Sequence, residues 1–164
     1  MKFLWSTWRM DYIRSDKQKH GCVFCEELKK SDSPENLIVF RSSHSFVILN
    51  RYPYTSGHLM IVPYVHKPSL EELEAAARSD IMEMIVAAMQ VLRAEYLAQG
   101  FNIGLNVGEA AGAGIQAHTH MHIVPRWGGD TNFMSTLAQT RVIPEALDES
   151  YRRIRRAWEN NLIA

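Results

Sequence analysis

The run HTHMHIV, residues 118–124, limits what this chain can fold into more than any other stretch of it. Histidine stands at every second position, His118, His120 and His122, with Thr119, Met121 and Ile123 between and after them. A period of two is that of an extended strand, whose side chains alternate between faces. The three imidazoles therefore share one face, and Thr119, Met121 and Ile123 suit a core on the other. Three uses of such a face are open: a plain solvent face, a three-histidine metal site, or histidine chemistry on phosphorus. A solvent face would more commonly carry Lys, Glu or Thr. One ion touching all three is awkward, because side chains two apart on a strand are displaced by about 7 Å. A neutral imidazole, by contrast, is a competent nucleophile near neutral pH, and its phosphoramidate passes readily to water or another acceptor.

Around that strand the pattern predicts an α+β domain with a mainly antiparallel five-stranded sheet. The polar turn KKSDSPEN (29–36) leads into LIVFRSSHSFVILN, two apolar runs split by RSSH, which reads as a hairpin. GHLMIVP (57–63) reads as a third strand and FNIGLNV (101–107) as a fourth. GEAAGAG (108–114) is a glycine-rich connection to the histidine strand, which Pro125 is expected to stop. Ser69 with Glu72 forms a capping box that starts helical sequence near residue 70, and Ser79 or Asp80 offers a second start. From there Ile81, Ile85, Ala88, Leu92 and Tyr96 recur at helical spacing until Gly100. Pro144 opens a C-terminal helix with Leu147, Tyr151, Ile154 and Trp158 on one face.

Length and charge narrow the class. The 164 residues suit a single domain, 1–164, with an aromatic arm over 1–20 (Phe3, Trp5, Trp8, Tyr12) and a C-terminal extension over 128–164. That arm calls for packing onto the domain or onto a partner subunit. Lys+Arg and Asp+Glu both count 18, so bulk charge provides no footprint for long nucleic acid or an anionic membrane. Any phosphate must be held by a local constellation. No apolar run approaches a membrane span, and the N-terminus lacks the apolar stretch of a signal peptide, so a cytoplasmic protein is expected. The arginines of RRIRR (152–156), with Ile154 on the apolar face and acidic Asp148, Glu149 and Glu159 nearby, read as a solvated helix face. The methionine-bearing stripe of the long helix reads as core or dimer contact.

Only two cysteines occur, Cys22 and Cys25, in one C-x-x-C. The pair admits a redox motif, two unrelated thiols, or half of a tetrahedral zinc site needing two further ligands. The upstream SDKQKHG does not supply a thioredoxin-like context.

The His-x-His-x-His strand followed by apolar residues and PR resembles that of the histidine-triad (HIT) superfamily of nucleotidyl hydrolases and transferases. The likeness extends over SFVILNRYPYTSGHLMIVPYVHKPSLEEL (45–73) and FNIGLNVGEAAGAGIQAHTHMHIVPRW (101–127). PRWGGDTNFM (125–134) and LWSTWRMDYI (4–13) are similar to a bacterial branch related to fragile-histidine-triad hydrolases and short diadenosine tetraphosphate phosphorylases. The resemblance implies a HIT-like fold, a homodimer built on the long helix and a neighbouring strand, and cleavage at the α-phosphate of dinucleoside polyphosphates. Diadenosine tri- and tetraphosphate are the expected substrates, with water or phosphate as acceptor. Two other outcomes stay open: a nucleotide-binding sensor and a nucleoside phosphoramidate hydrolase.

Residue by residue, the resemblance implies His120 as nucleophile, His122 as donor to a phosphate or bridging oxygen, and His58 as a fourth histidine beside them. Asn50 would meet the ribose hydroxyls, residues around Phe46 and Ile48 would line the base slot, and Asn106, Gly112, Gly114 and Gln116 would lie along the phosphates. Zinc-containing relatives, including galactose-1-phosphate uridylyltransferase, pair such a C-x-x-C with two histidines. The matching positions here are His66 and His118, which implies a structural zinc held by Cys22, Cys25, His66 and His118. Arg126, Trp127, Asp130, Asn132 and Phe133 either border the second nucleotide or pack the C-terminal segment. Some phosphorylases of the family carry Gln where this chain has His122.

Overall fold

The computed structural model describes residues 21–130 and 145–161. A short helix α1 (Val23–Leu28) precedes strands β1 (Ile38–Arg41), β2 (Ser45–Leu49) and β3 (Leu59–Pro63), and helix α2 (Ala75–Tyr96) follows. Strands β4 (Gly100–Gly104) and β5 (Met121–Arg126) come next, and helix α3 (Leu147–Asn161) ends the described chain. The strands form one sheet in the order β1-β2-β3-β5-β4, antiparallel at every pairing. This is the expected α+β architecture. The aromatic arm, Asn132, Phe133 and Pro144 lie outside the described residues.

Strands β2 and β3 are buried along their whole length. Such strands carry apolar residues on both faces rather than alternating. Helix α2 covers the sheet with Ala77, Ile81, Ile85, Ala88, Val91 and Leu92, spaced to lie along one stripe. Helix α3 buries Tyr151, Ile154 and Trp158, and Trp158 stacks on Phe40 of β1 with ring centroids 5.2 Å apart. Its arginines are held in ion pairs: Arg152 with Asp148 at 2.7 Å, Arg153 with Glu95 at 2.8 Å, Arg155 with Glu159 at 3.1 Å.

Six local expectations are corrected. The capping box does not form: Ser69 makes no cap bond, its hydroxyl donates to Glu71, and Leu70–Glu72 is a lone 3-10 turn. Helix α2 starts at Ala75 and runs unbroken through Ser79 and Asp80. Asp80 serves tertiary structure instead, accepting 2.5 Å bonds from the Ser42 and Ser45 hydroxyls and a 3.3 Å bond from the His44 N–H. The helix ends before Gly100, at Leu97 in the left-handed region (φ 52°), where the N–H groups of Leu97 and Ala98 reach back to Arg93 and Leu92. Gly100 opens β4 opposite Arg126, and β4 spans Gly100–Gly104 rather than 101–107.

Pro125 does not stop β5, which continues to Arg126. Beyond Ile123 the ladder to β3 has ended, and β5 pairs only with β4. The Pro125 carbonyl accepts from Thr55 Oγ1 on the unpaired side at 3.2 Å. Its ring nitrogen faces the same edge, where no ladder donor is required. The strand also begins later than its pattern suggested. His118, Thr119 and His120 precede the ladder, and the Thr119 N–H donates to the Lys67 carbonyl at 2.7 Å.

Candidate functional site

That lead-in segment brings two groups of side chains together. His118 is fully buried, and its Nε2–H donates to the Pro63 carbonyl at 2.8 Å. The lone pair is thereby placed on Nδ1, which lies 3.3 Å from Cys22 Sγ and 3.7 Å from Cys25 Sγ. His66 Nδ1 is 3.3 Å from Cys25 Sγ, and the four potential ligand atoms all fall within 4.8 Å of one another. Tetrahedral zinc with ordinary Zn–S and Zn–N bonds sets sulfur and nitrogen about 3.5 Å apart. The cluster is compatible with zinc on that count. Its chemistry agrees: burial lowers the His118 pKa, keeping the ring neutral, while burial and the adjacent Cys22 raise that of Cys25. Two neighbouring thiolates need a cation between them to be stable.

His120, two residues on, lines a cleft. Its Nδ1–H donates to the His118 carbonyl at 2.8 Å, so Nε2 carries the lone pair. Burial lowers its pKa and favours that neutral form. Beside it stands His122, ring centroids 5.0 Å apart and edge to face. The state of His122 is set through His58. The Tyr54 N–H donates to His58 Nδ1 at 3.1 Å, so the His58 hydrogen must sit on Nε2. That nitrogen is 3.0 Å from His122 Nδ1 and donates to it, which leaves the His122 hydrogen on Nε2. Burial pushes His58 down to about 3 and His122 down to about 4, so both are neutral at physiological pH. The pair thus offers a lone pair on His120 and an N–H on His122 side by side.

Both rings open onto a cleft of about 1000 Å³. Asn50, Tyr52, Tyr54, Asn106, Gly112 and Gly114 line the cleft with the two histidines, and Val23, Leu37, Ile48 and Met60 give it an apolar stretch. The wall is completed by α1, whose Phe24 and Glu27 face the cleft. Phe24 sits between the two cysteines in sequence, and its ring lies 5.4 Å from that of His118 and 5.2 Å from that of His120. One short helix therefore touches the Cys/His cluster, the histidines and the cleft together.

Of the residues singled out from the sequence, His120, His122, Asn50, Ile48, Asn106, Gly112 and Gly114 reach the cleft, and Cys22, Cys25, His66 and His118 converge on one another. His58 lies behind His122, fully buried. Phe46 is absent from the cleft lining: it too is fully buried and packs against Phe24 at 6.4 Å. Gln116 is exposed and also falls outside that lining. The N–H of Gly112 is spent on the Glu109 carbonyl at 2.8 Å, so this residue contributes its positive φ of 81° and open space where a side chain would be. Arg126 is bidentate to Asp130 at 2.5 and 2.8 Å, and Trp127 Nε1 donates to the Tyr96 carbonyl at 2.9 Å. Trp127 is thereby tied to the end of α2, and Arg126 joins Asp130 to Asn102 of β4, to which it donates at 2.6 Å. Phe24, Glu27 and Tyr54 were missed in the sequence. For Phe24 and Glu27 the signal was their place within and just after the C-x-x-C; Tyr54 acts through its backbone, which no side-chain pattern announces.

The fold and these two clusters together define a histidine-triad protein. The model of the HIT domain matches residues 31–129, and the chain belongs to that family. It is 36% identical to the AP-4-A phosphorylase of Mycobacterium tuberculosis over 163 residues, covering 94% of this chain and 83% of the relative. A 29% identity over 93 residues links it to the bis(5'-nucleosyl)-tetraphosphatase of Schizosaccharomyces pombe, covering 57% of this chain and 50% of that one. Among solved structures, a zinc-bound histidine triad family protein from Mycobacterium smegmatis superposes with a TM-score of 0.70 at 27% identity, covering 87% of this chain and 96% of the other.

Proposed function

We propose that this chain is a nucleotidyl hydrolase or transferase that cleaves dinucleoside polyphosphates at the α-phosphate through a nucleotidyl-His120 intermediate. The observation that carries the reading is the hydrogen bond from His120 Nδ1–H to the His118 carbonyl, which aims an unprotonated Nε2 at the cleft. Nε2 attacks the α-phosphorus and forms a P–N bond as the bond to the bridging oxygen breaks. His122 Nε2–H donates to that oxygen as its charge develops, a contribution realised mainly in the transition state. An acceptor then attacks the phosphorus and frees His120. The 36% identity to an AP-4-A phosphorylase supports phosphate as acceptor, giving a nucleoside diphosphate where water would give a monophosphate.

Support for a structural zinc at Cys22, Cys25, His66 and His118 comes from the convergence of their ligand atoms and from the zinc-bound neighbour. The metal would supply cross-linking of α1 to the histidine segment and the loop after β3, and the chemistry stays with His120 and His122. The thiols it needs suit the reducing cytoplasm. No helix among the described residues is long and apolar enough to cross a membrane. A homodimer is supported by β4, the outermost strand of the sheet, and by the exposure of Met82 and Val86 on α2 and of Ile103 on β4. The whole chain, 1–164, is read as a single unit.

Incubation with diadenosine tetraphosphate, with and without orthophosphate, followed by chromatography of the products, tests the reaction. Adenosine diphosphate is expected to form when phosphate is present. His120→Asn is expected to lower turnover by at least about a thousandfold while nucleotide binding persists. An active His120→Asn enzyme would refute the covalent step.

A further inference from the structure

The Cys/His cluster and the proposed nucleophile share a residue. His118 offers Nδ1 to the cluster, 3.3 Å from Cys22 Sγ, and its carbonyl to the His120 Nδ1–H at 2.8 Å. They also share a neighbour. The Phe24 ring stands edge-on to His118 at 5.4 Å and tilted against His120 at 5.2 Å, with Phe46 at 6.4 Å on its far side from neither. All three separations lie in the range where aromatic rings attract. The His120 ring is thus flanked by Phe24 and by His122, whose ring is 5.0 Å away. What holds Phe24 there is α1, six residues long, with no side-chain bond at its N-cap and Phe24 as its one buried side chain. A helix that short does not sustain itself in water. Beyond packing, it is anchored by the cysteines that bracket Phe24 and by one long bond, 3.4 Å, from Asn36 Nδ2 to the Glu27 carbonyl.

We propose that Phe24 is a positioning residue that ties His120 and the cleft wall to the state of the cluster, so that zinc and nucleotide each tighten the binding of the other. The inference rests on the cleft being a nucleotide site. Fixing Cys22 and Cys25 on one ion fixes the turn of helix between them, and with it the Phe24 ring. That ring keeps the His120 imidazole on the His118 carbonyl, and Val23 and Glu27 of the same helix take their places in the cleft wall. With the cysteines free, α1 rests on the packing of Phe24 and the Asn36 bond, and a nucleotide must order the wall and the ring as it binds. Linkage makes the effect mutual: the factor that nucleotide gains from the metal is the factor that the metal gains from nucleotide.

Zinc affinity is measured by competition with a chromophoric chelator, with and without saturating adenosine 5'-monophosphate, in the wild type and in Phe24→Leu, which keeps apolar bulk and removes the ring. The wild type is expected to hold zinc about tenfold more tightly with the nucleotide present, and Phe24→Leu to show a factor below about twofold while still binding both. A wild-type factor near one, or no zinc bound, would overturn the coupling. A factor unchanged in Phe24→Leu, whatever its Tm, would reduce Phe24 to core packing and overturn its role. Imidazole nitrogen NMR spectra of the zinc-loaded proteins without nucleotide, at about pH 8, supply a second readout. His120 is expected to keep its hydrogen on Nδ1 in the wild type and to average between tautomers in Phe24→Leu; identical spectra would overturn the positioning. A fixed tautomer lost in Phe24→Leu, with no nucleotide bound by either protein, would refute the nucleotide reading and the mutual tightening and leave Phe24 as the tie between the cluster and His120.

Discussion

Each histidine here is assigned its hydrogen by a neighbour, and the assignments run in one direction. The Tyr54 N–H settles His58, His58 settles His122, and the His118 carbonyl settles His120. Keeping these rings neutral ties the site to acid stability. His58 and His122 are held at about 3 and about 4 by burial, against 6.5 in an exposed chain. The unfolded state therefore binds protons that the native state refuses, so their contribution is full above pH 6.5 and is lost as pH falls toward 4 and 3. Between pH 6 and 4 the two together make unfolding easier by up to about 3 kcal/mol per pH unit. Urea unfolding at several pH values should show about half of that part of the slope gone in His58→Gln. An identical slope in that variant would remove His58 from the account.

At the scale of elements, the turn before β3 shows how closely the sheet and α2 are fitted. Gly57 has φ +76°, and a Cβ there would meet Leu92 Cδ2 at 2.9 Å, Tyr96 at 3.5 Å and Pro125 at 3.6 Å. Two penalties combine, left-handed backbone and overpacking against α2 and β5. Gly57→Ala is expected to lower the unfolding free energy by about 2–3 kcal/mol, read from the urea midpoint at constant m. A loss below about 0.5 kcal/mol would mean that α2 yields freely at this point. Asp80 is the counterpart at the other end of the sheet. Its carboxylate gathers Ser42 of the β1–β2 turn and Ser45 at the start of β2, which explains why a residue with helix-start character stands inside an unbroken helix.

For the molecule as a whole, the Cys/His cluster brings together parts distant in sequence. Cys22 and His118 lie 96 positions apart, and α1 has few other ties to the sheet beyond Phe24 and Asn36. Elemental analysis is expected to find about one zinc per chain, and removal by a chelator to lower Tm by about 10 °C. A metal-free protein with unchanged Tm would exclude the cross-link. What could be read from residues alone was whatever depends on period and chemical type: the strands, the stripe of α2, the shared face of His118, His120 and His122, and the C-x-x-C as half of a metal site, whose other half, His66 and His118, was implied only by the family resemblance. The starts and ends of elements were less legible. The Ser69 cap, the break at Asp80, the stop at Gly100 and the stop at Pro125 are local signals; the first yielded to Glu71 two residues on, and the others to partners supplied from elsewhere, the β1–β2 turn, Arg126 and the open edge beside Thr55. The tautomers, the displacement of Phe46 behind Phe24, and the arrival of Glu27 at the cleft were decided by the tertiary structure. Each depends on which group faces a given atom across the fold, and neither pattern nor propensity carries that distance.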